Sequence, residues 1–408
     1  MINMIWDMFL LALNNIRRRG IRSILTVIGI FIGIAAITSL ITLSQGLQNA
    51  FDQSFSRLGT DKLFVKPGTS SSLMPIITTN NNIILDSSDV STISKVNHVS
   101  MAIGIISAST VVKYKQTELA ATINSLPSNS QEINMLESTY FPDIASGRNM
   151  MPNDHKVAII GHGLLSKLKG IKSGQTISIN GQEFKIIGIY EQVGNPQVEN
   201  TITIDKASAK SILDFSKIGY SQIIVQVQKG YDIDTVKDAI TKAERKHRNV
   251  NANTQNFTVT SSTEILNAFK TILSILQVMI VGIASISLIV GGIGILNNMY
   301  TSVMERTKRI GTLKAIGARN SDILTLFFFE SGLLGTIGGI VGIAVGLGIA
   351  YFVEYYAIMS GFTLLVISIN WALVSEILMF SFSLGVIFGL LPAFRASKMK
   401  PSVALRYE

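Results

Sequence analysis

The chain contains no cysteine. A disulfide framework and a cysteine-ligated zinc site are both excluded, so a domain outside the membrane must be held by its core alone. Charge is scarce as well: only 15% of the 408 residues are Asp, Glu, Lys or Arg, against about 25% in an average soluble chain. The deficit is concentrated, because residues 23–51, 271–304, 331–353 and 377–394 hold none of these four types. Catalytic patterns are missing too. There is no His-Glu-x-x-His zinc pattern, no Gly-x-Ser-x-Gly elbow and no Gly-x-x-x-x-Gly-Lys-Ser/Thr phosphate loop. Gly170-Ile-Lys-Ser-Gly174 lacks the required ending, and His155 and His162 stand in a loop and strand-end context without ligand spacing. The chain is expected to be non-catalytic, with no metal or cofactor of its own.

What is present is apolar sequence in long runs. Mean hydropathy is +0.40, and a helix crosses a bilayer with about 20 apolar residues. The chain therefore reads as an integral membrane protein. Spans are expected at about Arg22–Leu43 and within 271–298, 328–353 and 371–393. The first apolar run exceeds the core of a signal peptide and is expected to stay as an anchor. Ahead of it, Trp6, Phe9, Leu10, Leu13 and Ile16 recur at helical spacing, as in a helix lying on the membrane surface.

The formal net charge is +9. Arg17, Arg18, Arg19 and Arg22 precede span 1; Arg306, Lys308, Arg309, Lys314 and Arg319 lie between spans 2 and 3; Arg395, Lys398, Lys400 and Arg406 follow span 4. The 357–369 loop has no Lys or Arg. Cations in short loops favour the cytoplasm, which predicts a multi-pass protein of the cell membrane with both termini and the 299–322 loop inside. The large domain then lies outside. These clusters flank spans rather than form one basic face, so nucleic acid is not an expected partner, whereas membrane lipid is.

Residues 46–266 are expected to form this extracytoplasmic α+β domain, inserted between span 1 (residues 1–45 with the surface helix) and a permease domain at 267–408. Strand-like runs are Lys62–Lys66, Val157–Ile160, Thr176–Ile179, Glu183–Tyr190 and Ile223–Val227, and Asn180-Gly181 is a hairpin signal. Tyr231–His247 reads as a helix with Ile233, Val236 and Ile240 on one face. Composition shifts near 140–150 and 220 allow two lobes.

Within the spans, Glu330, Glu354 and Glu376 lie near the edges of apolar blocks, and an interfacial position is expected for each. Gly338, Gly342 and Gly346 repeat every fourth residue, as do Gly29 and Gly33. Such spacing lets helices approach closely. With four spans per chain, a homodimer is expected.

The stretch Glu305–Ala318, ERTKRIGTLKAIGA, is a charged element between spans 2 and 3. Drawn as a helix, it puts Val303, Ile310 and Leu313 on one side and Glu305, Lys308 and Thr312 on the other. Such an element suits headgroups or a groove on a partner. This block, with Asn14-Asn-Ile-Arg-Arg-Arg19, Gly147-Arg148, Phe184–Ile189, Glu330, Leu391–Ser397 and Pro401–Leu405, resembles the MacB/FtsX-like family of ABC-transporter permeases across essentially the whole chain. Arg309 departs from the family, which usually has an acidic residue there.

The resemblance implies that residues 299–322 are received by a cytoplasmic ATPase on a separate chain, which binds ATP and Mg and drives the permease dimer by mechanical transmission. It implies polar contacts from Glu305, Arg306, Lys308 and Lys314, apolar anchors at Ile310 and Leu313, and turns or close approach at Gly311 and Gly317. It also assigns Pro392, Arg395, Ser397 and Pro401 to the last span and the cytoplasmic tail, residues 395–408. The expected function is that of the membrane subunit of an exporter or extractor, of which lipoprotein release is one version. Regulation of an extracellular cell-wall hydrolase and a lone sensor or scaffold are the alternatives.

Overall fold

In the computed structural model, which describes residues 21–56, 59–68, 70–71, 74–78 and 83–405, four helices are long and apolar enough to cross a membrane. They are span 1 (Ile21–Ser56), span 2 (Ser262–Glu305), span 3 (Asn320–Met359) and span 4 (Trp371–Ser397). Two short helices, Thr307–Ala315 and Pro401–Leu405, accompany them. The surface helix expected at Trp6–Ile16 lies outside the described residues, as do Arg17, Arg18, Arg19 and Arg406. The chain divides into two units: Met1–Gly46 with Ser274–Tyr355 and Ile367–Glu408, and Leu47–Leu273 with Tyr356–Val366.

The helical unit is packed through glycine. Bilayer tails offer no hydrophobic drive between helices, so close backbone approach must supply the contact energy. A Cβ on Gly29 would lie 2.7 Å from Gly291 Cα, and one on Gly33 3.0 Å from the Leu288 side chain, which seats span 1 on span 2. Gly342 and Gly346 receive Ile34 and Thr38 of span 1 at 2.7 and 2.8 Å in the same sense. Gly338 is buried. The crossing of spans 3 and 4 uses glycines that the repeat does not include. A Cβ on Gly335 would sit 2.3 Å from Ser381 O, and one on Gly385 2.4 Å from Ser331 O. Ser381 Oγ donates to Gly335 O at 2.6 Å. Large apolar side chains on span 2, among them Val278, Met279, Ile283, Ile286 and Val290, are exposed, as suits a helix solvated by lipid.

The other unit contains two main sheets. Strands β1 (Lys62–Pro67), β4 (Val99–Ile105), β12 (Gln222–Val227) and β13 (Phe257–Ser261) form one in the order β13-β1-β12-β4, antiparallel throughout. A two-stranded ribbon, β2 (Ser70–Ser71) with β3 (Met74–Thr78), is separate. The second sheet holds β5 (Ser107–Tyr114), β6 (Thr117–Leu126), β7 (Ile144–Gly147), β8 (Val157–Ile160), β9 (Thr176–Ile179), β10 (Gln182–Tyr190) and β11 (Thr201–Asp205). Its order is β7-β10-β8-β11-β6-β5-β9, and β9 also pairs with β10, which closes the sheet on itself. The closed circuit runs β10-β8-β11-β6-β5-β9, and β7 pairs with β10 alone at its margin. Val112, Ile123, Ile160, Ile179, Phe184 and Ile202 are buried.

The hairpin at Asn180-Gly181 forms with φ of +48° and +82°, the left-handed pair that a two-residue type I′ turn requires. The closed sheet is an insertion between β4 and β12. The composition shift at 140–150 therefore falls inside it, around β7. The helix Ile233–His247 is capped by Asp232 and buries Val236, Ile240 and Glu244. Glu244 is held by Arg248 Nε at 2.9 Å, and the same guanidinium reaches Asp89 at 2.5 Å. Burial first, then the neighbouring Asp89 carboxylate, pushes the Glu244 carboxyl up to about 8.

Candidate functional site: the coupling segment

Span 2 does not run smoothly into the charged block. The helix stops at Glu305, Arg306 takes φ −111° and ψ 7°, and a new helix starts at Thr307. Thr307 Oγ1 donates back to Val303 O at 3.0 Å, across the break. The far end is a glycine stop. Gly317 has φ +104°, its N–H donates to Lys314 O at 3.1 Å, and Ala318 N–H donates to Leu313 O at 3.0 Å. These two bonds are those of a Schellman motif, which satisfies carbonyls left open at a helix end and favours glycine at this position. The turn expected at Gly317 is thus accounted for by backbone geometry. Gly311 is buried within the helix.

The break sets the helical phase. Thr307, Ile310 and Gly311 face inward, whereas Lys308, Arg309, Thr312, Leu313 and Ile316 are exposed. Ile310 is only 3% exposed and belongs to the core formed by Ile295, Met299, Val303, Ile323 and Phe327. This corrects the sequence reading of Ile310 as an anchor on a partner: its side chain is already spent on the chain's own core. Leu313, placed on the Ile310 side by the sequence reading, is on the outer face and 40% exposed. Ile316, which periodicity did not single out, is 77% exposed. Glu305 is exposed at the start of the segment.

Two cations read as partner contacts are engaged within the chain. Arg306 Nη1 lies 3.7 Å from Glu330 Oε2. Glu330 is fully buried against the other helices. Its burial next to a guanidinium is how an ionisable side chain is accommodated among apolar helices. Glu354 instead accepts from Ile367 N–H at 3.0 Å, and Glu376 is exposed. Lys314 Nζ donates to Ser397 O and, at 2.9 Å, to Met399 O. Those carbonyls lie at the C-terminus of span 4, where the helix leaves its last acceptors open and a cation is favoured.

The remaining tail residues frame this end. Pro392 is buried inside span 4, Ser397 is buried with Oγ on Phe394 O at 2.9 Å, and Arg395 is exposed. Pro401 opens the short helix Pro401–Leu405, which packs against Thr307–Ala315 and buries Ala404. The result is a ridge of Leu313 and Ile316 among Lys308, Arg309 and Arg319, carried on a helix whose opposite face is fixed. Chemically it offers apolar contact and positive charge, and no group in it is arranged for catalysis.

The description "MacB-like periplasmic core domain" matches residues 23–243, and "FtsX-like permease C-terminal" matches residues 281–401. The chain is 33% identical to an uncharacterized ABC transporter permease, MJ1507, of Methanocaldococcus jannaschii, covering 98% of both chains. It is 32% identical to the uncharacterized ABC transporter permease YknZ of Bacillus subtilis, again over 98% of both. The macrolide export ATP-binding/permease protein MacB of Bdellovibrio bacteriovorus is 33% identical over 95% of this chain, which spans 60% of that protein's length.

Proposed function

Since this chain belongs to the MacB/FtsX-like family of ABC transporter permeases, we propose that it is the membrane subunit of an exporter or extractor powered by an ATPase on a separate chain. The observation that carries this reading is the ridge of Leu313 and Ile316. An isoleucine exposed to 77% between cations, on a helix whose inner face is buried, is a surface prepared for a partner. The ATP and Mg sites belong to that partner, because these 408 residues hold no phosphate loop.

The cation clusters support a cytoplasmic position for residues 299–322 and for both termini. In the proposed cycle, two permease chains and two ATPases work together. ATP binding displaces the helix Thr307–Ala315, the spans follow as rigid bodies, and the external domain carries the movement to its substrate. The substrate is then handled outside the bilayer. Spans joined by glycine seams suit such a transmission better than a polar pore. The match to a MacB-like periplasmic core over residues 23–243 favours transport over regulation of a hydrolase.

The test is co-purification from the native host in mild detergent, with Leu313→Asp/Ile316→Asp alongside. The native chain should bring down a P-loop ATPase, and the double variant should bind it about 100-fold more weakly, as loss of two central apolar contacts implies. A native chain that stays dimeric and carries no ATPase contradicts the proposal.

A further inference from the structure

We infer that the helix Thr307–Ala315 is tied at its two ends to two different spans, and that these ties carry its movement into the membrane. The inference rests on the ATPase-coupled reading above. At one end stands Arg306, the break residue, with its guanidinium 3.7 Å from the fully buried carboxylate of Glu330 in span 3. At the other stands Lys314, whose ammonium donates to Ser397 O and Met399 O at the end of span 4. The ties are about two turns apart along one short helix. A displacement applied to its outer face therefore reaches spans 3 and 4 together.

The two ties differ in kind. Parting the Arg306 guanidinium from the buried Glu330 side chain costs more than parting an exposed pair, so a moving Arg306 draws span 3 with it. Lys314 meets carbonyl dipoles with three donors on a flexible stem, which permits rotation while keeping contact. The first tie is a rigid link and the second a pivot. Arg306, Glu330 and Lys314 are thus positioning residues, and the surface offered to the ATPase is left to Leu313 and Ile316.

The experiment compares the native chain in lipid nanodiscs with Glu330→Gln, Lys314→Met and the exchanged pair Arg306→Glu/Glu330→Arg. Hydrogen exchange is followed in residues 307–315 and, after addition of ATP, in the external domain of the complex with its co-purified ATPase. The expected result is exchange about tenfold faster at the matching end of the helix in each single variant. The ATPase is retained, the ATP-driven change in the external domain falls about tenfold, and the exchanged pair recovers it, as coupling within one charge pair requires.

Unchanged exchange in 307–315 overturns the ties. So does a full external response in a variant whose helix has loosened. Lys314→Met probes a site at the helix surface and reads independently if Glu330→Gln fails to fold. A native chain without any ATPase overturns the proposed function and this transmission together, whereas responding variants overturn the ties alone.

Discussion

The crossing of spans 3 and 4 yields the sharpest prediction. At Gly335 an added methyl group would lie 2.3 Å from Ser381 O and 3.1 Å from Gly385 Cα. All the near atoms are backbone, so no side chain can rotate away. Gly335→Ala must push two helices apart by close to an ångström, and the 2.6 Å bond from Ser381 Oγ to Gly335 O lengthens with them. Overpacking of this kind costs about 1–3 kcal/mol, and the weakened hydrogen bond adds about 1 kcal/mol. Better helix propensity returns up to about 1 kcal/mol. The net expectation is a loss of about 1–3 kcal/mol.

Gly348 supplies the control, since nothing lies within 4 Å of its added Cβ. There Gly→Ala keeps only the propensity gain and should be neutral or slightly stabilising. The assay is the midpoint of thermal loss of the monodisperse peak for detergent-purified protein. Gly335→Ala should fall by several degrees while Gly348→Ala does not. Equal midpoints for the two variants would refute the packing argument.

Two further predictions concern the external unit. The Glu244 carboxyl is raised from 4.5 to about 8, so between those values the folded chain keeps a proton that the unfolded chain releases. Stability should therefore fall as pH rises through this window, by up to about 1.4 kcal/mol per unit, and level off above it. Calorimetry should show a midpoint that drops from pH 6 to 8 in the native chain and stays flatter in Glu244→Gln; parallel curves contradict the assignment. Gly194 has φ +73°, and a Cβ there would lie 2.3 Å from Thr363 Oγ1. It also accepts from Thr363 N–H at 3.1 Å. Gly194→Ala should release residues 356–366 and speed their proteolysis about tenfold, whereas Gly181→Ala, with φ +82° but no neighbour within 4 Å, should not.

Much of the fold was written in local pattern. Val157–Ile160 and Thr176–Ile179 are strands with the expected bounds because short apolar runs between turn residues leave few other solutions. Closure of the second sheet through β9 and β10 was not legible, since it depends on pairings between strands distant in sequence. The glycine repeat lies on the seam with span 1, whereas the seam with span 4 follows a second four-residue spacing of small residues, Ser331, Gly335 and Gly339 against Ser381, Gly385 and Gly389, which pattern alone does not assign to a partner helix. In the coupling segment one residue decided the outcome. The break at Arg306 resets the helical phase, which turned Ile310 inward and brought out Ile316. The signal for Arg306 was Glu330, a carboxylate beside a long apolar run, which calls for a cationic neighbour.

Site-directed crosslinking at 313 and 316 tests the central claim most directly. The native chain has no cysteine, so Leu313→Cys and Ile316→Cys each introduce a single thiol, with Gly282→Cys on span 2 as the control. Membranes from the native host are treated with a short thiol-reactive photo-crosslinker, and adducts are identified by mass spectrometry. A P-loop ATPase joined at 313 and 316, and absent at 282, is the predicted result. Adducts at 313 and 316 that contain no ATPase, under conditions where the permease remains intact, would contradict the coupling role of this helix.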